Sequence, residues 1–143
     1  MSRRIIFPAF MLLVTLFCSE SHACSGGAST LEERFNWTPA IFYARITELE
    51  VSNDLGRIGG IRPLVVGRFE LIEVLKGSPP IDRRIMEAPG SCAVRLKPGV
   101  YYIFFTSEES AISSFTAGST AFTGYDDPEA LQMLAKLRAL AGH

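Results

Sequence analysis

Histidine is almost missing from this sequence. Of its two copies, His22 belongs to an N-terminal leader and His143 is the last residue, so the stretch between them carries no imidazole. That excludes Ser-His and Cys-His nucleophile pairs and any internal zinc site built on histidine. A dominant charge of one sign is missing too. The formal net charge is −1, and the Lys and Arg residues are scattered rather than gathered into a stripe that could follow a phosphate backbone. Nucleic acid is therefore not an expected partner. The Gly59-Gly60 pair lacks the lysine and helix of a phosphate-binding loop, and no segment repeats at the periods of solenoids or propellers. At 143 residues, one domain with one core is the expectation.

What is present begins with the leader. Arg3 and Arg4 precede an apolar run from Ile5 to Cys18, and Ser19 to Ala23 is a polar stretch ending Ser21-His22-Ala23. Small residues at −3 and −1 fit signal-peptidase cleavage between Ala23 and Cys24, whereas the run is shorter than the roughly 20 residues a spanning helix needs. Residues 1–23 thus read as a signal peptide and 24–143 as the exported domain, secreted or periplasmic, with no transmembrane segment after cleavage. Cys18 leaves with the signal. Cys24 and Cys92 then stay in an oxidising compartment, where two cysteines allow a single intramolecular pairing. A lipid anchor on Cys24 is the alternative, but Ser21 and His22 stand where such sites usually have an aliphatic and a small residue.

Along the mature chain, Ser29 or Thr30 can cap a short helix, with Glu32 or Glu33 completing a capping box and Pro39 setting its limit. Ile41 to Val51 alternates so that Phe42, Ala44 and Ile46 share one face, which is expected to be the buried one. Ser52 to Gly60 is turn-rich, and Leu64 to Leu75 reads as a second strand with Phe69, Leu71 and Glu73 on one face. Arg83 to Ala88 and Cys92 to Leu96 read as short strands, Val100 to Thr106 as a central apolar one, and Ser113 to Thr116 as an edge. Asp126 or Asp127 caps a closing helix with Pro128 in its first turn and Gly142 at its end. Leu131, Leu134, Leu137 and Leu140, with Ala130 and Met133, are expected to form its apolar stripe. The class is mainly β: five short strands in a small closed barrel, with a helix at either end.

No constellation points to catalysis, so an enzyme is not expected and no cofactor is implied. The adjacent acids Glu32-Glu33, Glu108-Glu109 and Asp126-Asp127 fall at caps or in loops, where solvated charge is the simple account. Tyr101, Tyr102, Phe104 and Phe105 lack the interleaved cations of a base-stacking platform and read as core. Asn36-Trp37-Thr38 matches a glycosylation sequon, weakened by Pro39.

An N-terminal cysteine, the strand AIFYARITELEV, the strand FELIEVLKG and the segment CAVRLKPGVYYIFF follow one another in this order. Together with the Lys76-Gly77 strand end and the pattern Leu96, Gly99, Tyr102 after Cys92, they resemble the netrin-like module of tissue inhibitors of metalloproteinases. The resemblance covers roughly Cys24 to Ser107. It implies a five-stranded Greek-key barrel of the OB type with flanking helices. It also implies a disulfide between Cys24 and Cys92, with the free amine and carbonyl of Cys24 chelating a target protease's zinc. Ser25 would enter the protease's specificity pocket, and Pro89, Gly90 and Ser91 would complete the contact ridge.

The function so implied is that of a netrin-like binding module whose partner is a protein, in the inhibitory case a zinc metalloproteinase. A neutral amine with its adjacent carbonyl can displace the water of a catalytic zinc, and a disulfide would hold that ligand in place. Gly26 stands where inhibitors of this family carry a second cysteine, and Gly26-Gly27 loosens the segment after Ser25. The alternative is accordingly a structural or interaction protein of the cell envelope in which Cys24 is only a disulfide anchor.

Overall fold

A computed structural model describes residues 29–52, 64–87, 93–106, 112–113 and 118–142. Helix α1, Leu31–Trp37, starts at Thr30, whose hydroxyl accepts from the Glu33 amide while the Glu33 carboxylate accepts from the Thr30 amide. Of the two capping pairs open in the sequence, Thr30 with Glu33 is the one used. Ser29 is engaged otherwise, its hydroxyl accepting from Arg34 Nε at 2.9 Å.

Two long strands follow, β1 (Ala40–Ser52) and β2 (Leu64–Lys76), then β3 (Arg84–Glu87), β4 (Tyr101–Thr106), β5 (Ile112–Ser113) and β6 (Thr120–Phe122). The chain closes on α2, Pro128–Ala141. The sheet order is β5-β3-β2-β1-β4-β6, antiparallel throughout except for the parallel pairing of β5 with β3. Among the described residues the fold is therefore mainly β with two helices, as the patterning implied. The closed barrel is a different matter: among the described residues no pairing joins β5 to β6, and the sheet is open at both edges. The register of β1 against β2 shifts at three places, and such irregularities increase local twist.

Two element readings need correction, and a third is described only in part. Residues 94–97 are not a strand; Ala93 forms an isolated bridge, and Cys92 lies outside the described residues. Val94 and Leu96 are buried all the same, so the apolar signal there reported burial rather than extension in a ladder. The edge strand expected at 113–116 is seen at Ile112–Ser113, and residues 114–117 fall outside the description. Arg83 stands just before β3 with φ 56°, a left-handed conformation that ends strand geometry.

Burial also departs from expectation. Phe42, Ala44 and Ile46 are buried as foreseen, but Ile41 and Tyr43 on the other face of β1 are buried equally. One core joins Ile41, Tyr43, Leu75, Ile103, Phe105 and Phe122 to Phe35 of α1 and to Ala130, Leu134 and Leu137 of α2. The other joins Phe42, Ala44, Ile46, Phe69, Ile85, Tyr102 and Phe104 to Val94 and Leu96. In α2, Leu131 and Leu140 are exposed at 46% and 37%. Leucines three apart advance 300° per step and so drift around the helix, which carries the two end members off the face centred on Leu134 and Leu137.

Candidate functional site

The residues expected to carry function, Cys24, Ser25, Pro89, Gly90, Ser91 and Cys92, all lie outside the described residues. What the structure does describe is how the chain is fixed on either side of residues 88–92. Glu87 ends β3 with its carboxylate buried. Its Oε1 accepts from the Leu96 amide at 2.7 Å and its Oε2 from Arg95 Nη1 at 3.0 Å. The Tyr102 hydroxyl, projecting from β4, donates to the Arg95 carbonyl and accepts from the Lys97 amide, both at 2.9 Å. Burial pulls the Tyr102 phenol upward from its ordinary range, the Lys97 amide opposing and the Glu87 charge reinforcing the shift.

Gly99, with φ 82°, turns the chain back toward β1. Its amide donates to the Ile46 carbonyl at 2.7 Å, and the Ile46 amide donates to the Val100 carbonyl at 3.0 Å. The Leu96, Gly99, Tyr102 pattern thus has a structural meaning: a buried plug, a left-handed turn, and a hydroxyl that satisfies two backbone groups a ladder would otherwise serve.

The Lys76-Gly77 strand end is equally concrete. Lys76 Nζ donates to the carbonyls of Phe35 and Asn36 at 2.6 and 3.1 Å, capping the C-terminus of α1 where a cation is favoured. Gly77 has φ 61°, and a Cβ there would meet the Pro39 carbonyl oxygen at 2.1 Å. Glycine is what lets β2 end against the start of β1.

The acidic pairs that fall in the described residues act as caps. Glu33 serves α1, and Asp127 Oδ1 accepts from the Glu129 amide at the start of α2. Partial burial raises the Asp127 carboxyl, but hydrogen bonds from Glu129, Thr123 and Ala130 outweigh it and hold the group below its usual range. Glu108-Glu109 lies outside the described residues. Tyr102, Phe104 and Phe105 are core, as read. Asn36 is exposed while Thr38 of the same sequon is buried.

Two arrangements had no announcement in the sequence. Tyr43, Tyr101 and Tyr125 form a triangle of rings with centroids 6.0 to 6.2 Å apart, and Arg45 lies over Tyr101. Across β1, β2 and β3, Glu50 accepts from both Arg68 and Arg84. The Arg68 hydrogen bond first, and then the two positive charges, hold the Glu50 carboxyl below its ordinary value. Each set joins residues far apart in the chain, brought together by strand register and, for Tyr125, by the turn ahead of α2. Among the described residues no group of three or more His, Cys, Asp or Glu could hold a metal ion, and no helix is long and apolar enough to cross a membrane. Scanning the sequence against protein-family models and against curated proteins gives no match.

Proposed function

We propose that the chain is exported, cut before Cys24, and acts as a netrin-like binding module that presents Cys24, Ser25, Pro89, Gly90 and Ser91 to a protein partner. In this reading the sheet curls into an OB-type barrel, with β5 turning from β3 toward β4. Supporting the curl are the three register shifts in β1, the parallel β3–β5 pairing, and the proximity of β5 to β4. The observation that carries the functional reading is the double tie beyond β3. Glu87 binds Leu96 and Arg95, and Tyr102 binds Arg95 and Lys97, so the chain is anchored on both sides of residues 88–92. Anchored ends lower the ordering cost of a contact segment.

Within this reading, Cys24 paired with Cys92 offers its amine and carbonyl to the zinc of a metalloproteinase. Intact mass and N-terminal sequencing of the exported protein test the premise: a sequence beginning Cys-Ser-Gly-Gly, one disulfide and no lipid are expected. Inhibition of a panel of zinc metalloproteinases by the native form and by a form with one alanine ahead of Cys24 tests the mechanism. Loss of inhibition in the extended form is expected, and equal potency excludes chelation. No inhibition by either form leaves the second reading, an envelope interaction module in which Cys24 is an anchor, which Gly26-Gly27 favours by loosening the segment.

A further inference from the structure

The core on the Phe42 face of β1 is closed in part by a stretch that belongs to no strand. Arg95, Leu96 and Lys97 run between the Ala93 bridge and the turn at Pro98-Gly99, and Leu96 is buried among strand residues. Its Cδ1 lies 2.9 Å from the position a Cβ on Gly67 would take, so the absence of a side chain on β2 makes its seat. The Leu96 amide is held by a side chain of β3, and the Lys97 amide and Arg95 carbonyl by a side chain of β4. A ladder bond is shared by two strands that stay in register with their neighbours. A side-chain peg depends on the placement of one side chain.

We propose that residues 95–97 form a strap that opens as a unit while the sheet stays folded. Opening withdraws Leu96 from its seat against Ile46 and Gly67 and frees the Glu87 and Tyr102 pegs together. Stability in proteins is distributed in such cooperative units, and a short segment tied by two pegs belongs at the low end of that distribution.

Native-state hydrogen exchange on the full exported chain tests this, with the Leu96 and Lys97 amides as strap reporters. The Leu137 amide, inside α2 and in the helix-covered core, is the reference. Exchange at Leu96 and Lys97 should be faster than at Leu137 and nearly independent of low denaturant, while Leu137 accelerates as denaturant rises. Glu87→Gln weakens the charge-assisted bonds to the Leu96 amide and the Arg95 guanidinium and leaves the bond from the Lys97 amide to Tyr102 in place. A strap that moves as a unit requires it to accelerate both strap amides by the same factor, about tenfold. Gly67→Ala crowds Leu96 without touching either peg and should accelerate the same two amides. The proposal is overturned if Glu87→Gln affects Leu96 only, or if both amides share the rate and denaturant dependence of Leu137.

Discussion

The two faces of β1 are buried by different means. On one, Ile41 and Tyr43 meet α1 and α2, and α2 is pinned by paired hydrogen bonds from Arg138 to Glu73 at 2.8 and 2.6 Å. On the other, Phe42 stacks on Phe69 at 5.0 Å and tilts against Phe104 at 5.4 Å, while Tyr102 stacks on Phe104 at 5.1 Å. The first face is covered by a helix made largely of its own local hydrogen bonds. The second fills itself with rings from its own strands and finishes with the segment of Val94 and Leu96. A helix brings a continuous apolar stripe; a strap brings one or two plugs and needs pegs to satisfy its backbone.

Truncating each core at its centre gives the largest expected effects. Phe104→Ala removes a ring that meets three others and should destabilise by about 3–5 kcal/mol, and Leu137→Ala, under α2, by about 2–5 kcal/mol. Against the 5–15 kcal/mol typical of a domain, urea denaturation should place Phe104→Ala at the lower midpoint. The reverse order would make the helix-covered face the dominant core. Next in size is Gly77→Ala, which forces a Cβ against the Pro39 carbonyl at a left-handed φ and should cost about 2 kcal/mol or more in a thermal melt. Because the strain falls where β2 meets α1, it should loosen the helix side first.

Alkali distinguishes the faces by a smaller slope. Burial, and then the neighbouring Tyr101, Tyr125, Asp127 and Asp126, push the Tyr43 phenol up to about 12 from 10.0. Between those values the unfolded chain gives up a proton that the folded chain keeps. Stability from this group is therefore complete below pH 10.0 and declines as pH rises toward 12, by about 1.4 kcal/mol per unit. Denaturation midpoints measured from about pH 9 upward should fall, and Tyr43→Phe should flatten the decline more than Tyr102→Phe does. Smallest of all is Arg138→Ala. The pair with Glu73 is partly exposed, at 43% and 29% of the side chains, so its loss should cost about 0.5–1 kcal/mol and respond to salt in the same melt.

How much was legible follows the same division. The cap of α1 at Ser29 or Thr30 with Glu32 or Glu33, that of α2 at Asp126 or Asp127 with Pro128, and the Gly142 stop were readable to within a residue because each is a contact within one turn. The alternation in β1 was readable, but not that both its faces are buried, because burial depends on what arrives from Leu134 and Leu137 some ninety positions on. The β6 strand went unforeseen in a stretch of Ser, Thr, Gly and Ala with no periodicity. It is placed by Ser119, whose buried hydroxyl bonds both the amide and the carbonyl of Phe105.

The sequence by itself determined the two described helices to within a residue, the long strands β1 and β2 and the turn at Pro98-Gly99, since these rest on local periodicity, φ preferences and hydrogen bonds spanning a few residues. Only the tertiary structure decided that residues 94–97 plug a core instead of lengthening a sheet, that Lys76 caps α1, and that Glu87 and Tyr102 hold a common segment. The reason is physical. A side chain that reaches across the fold to satisfy a distant backbone group leaves no periodic trace, because its partner is fixed by strand register and not by spacing along the chain.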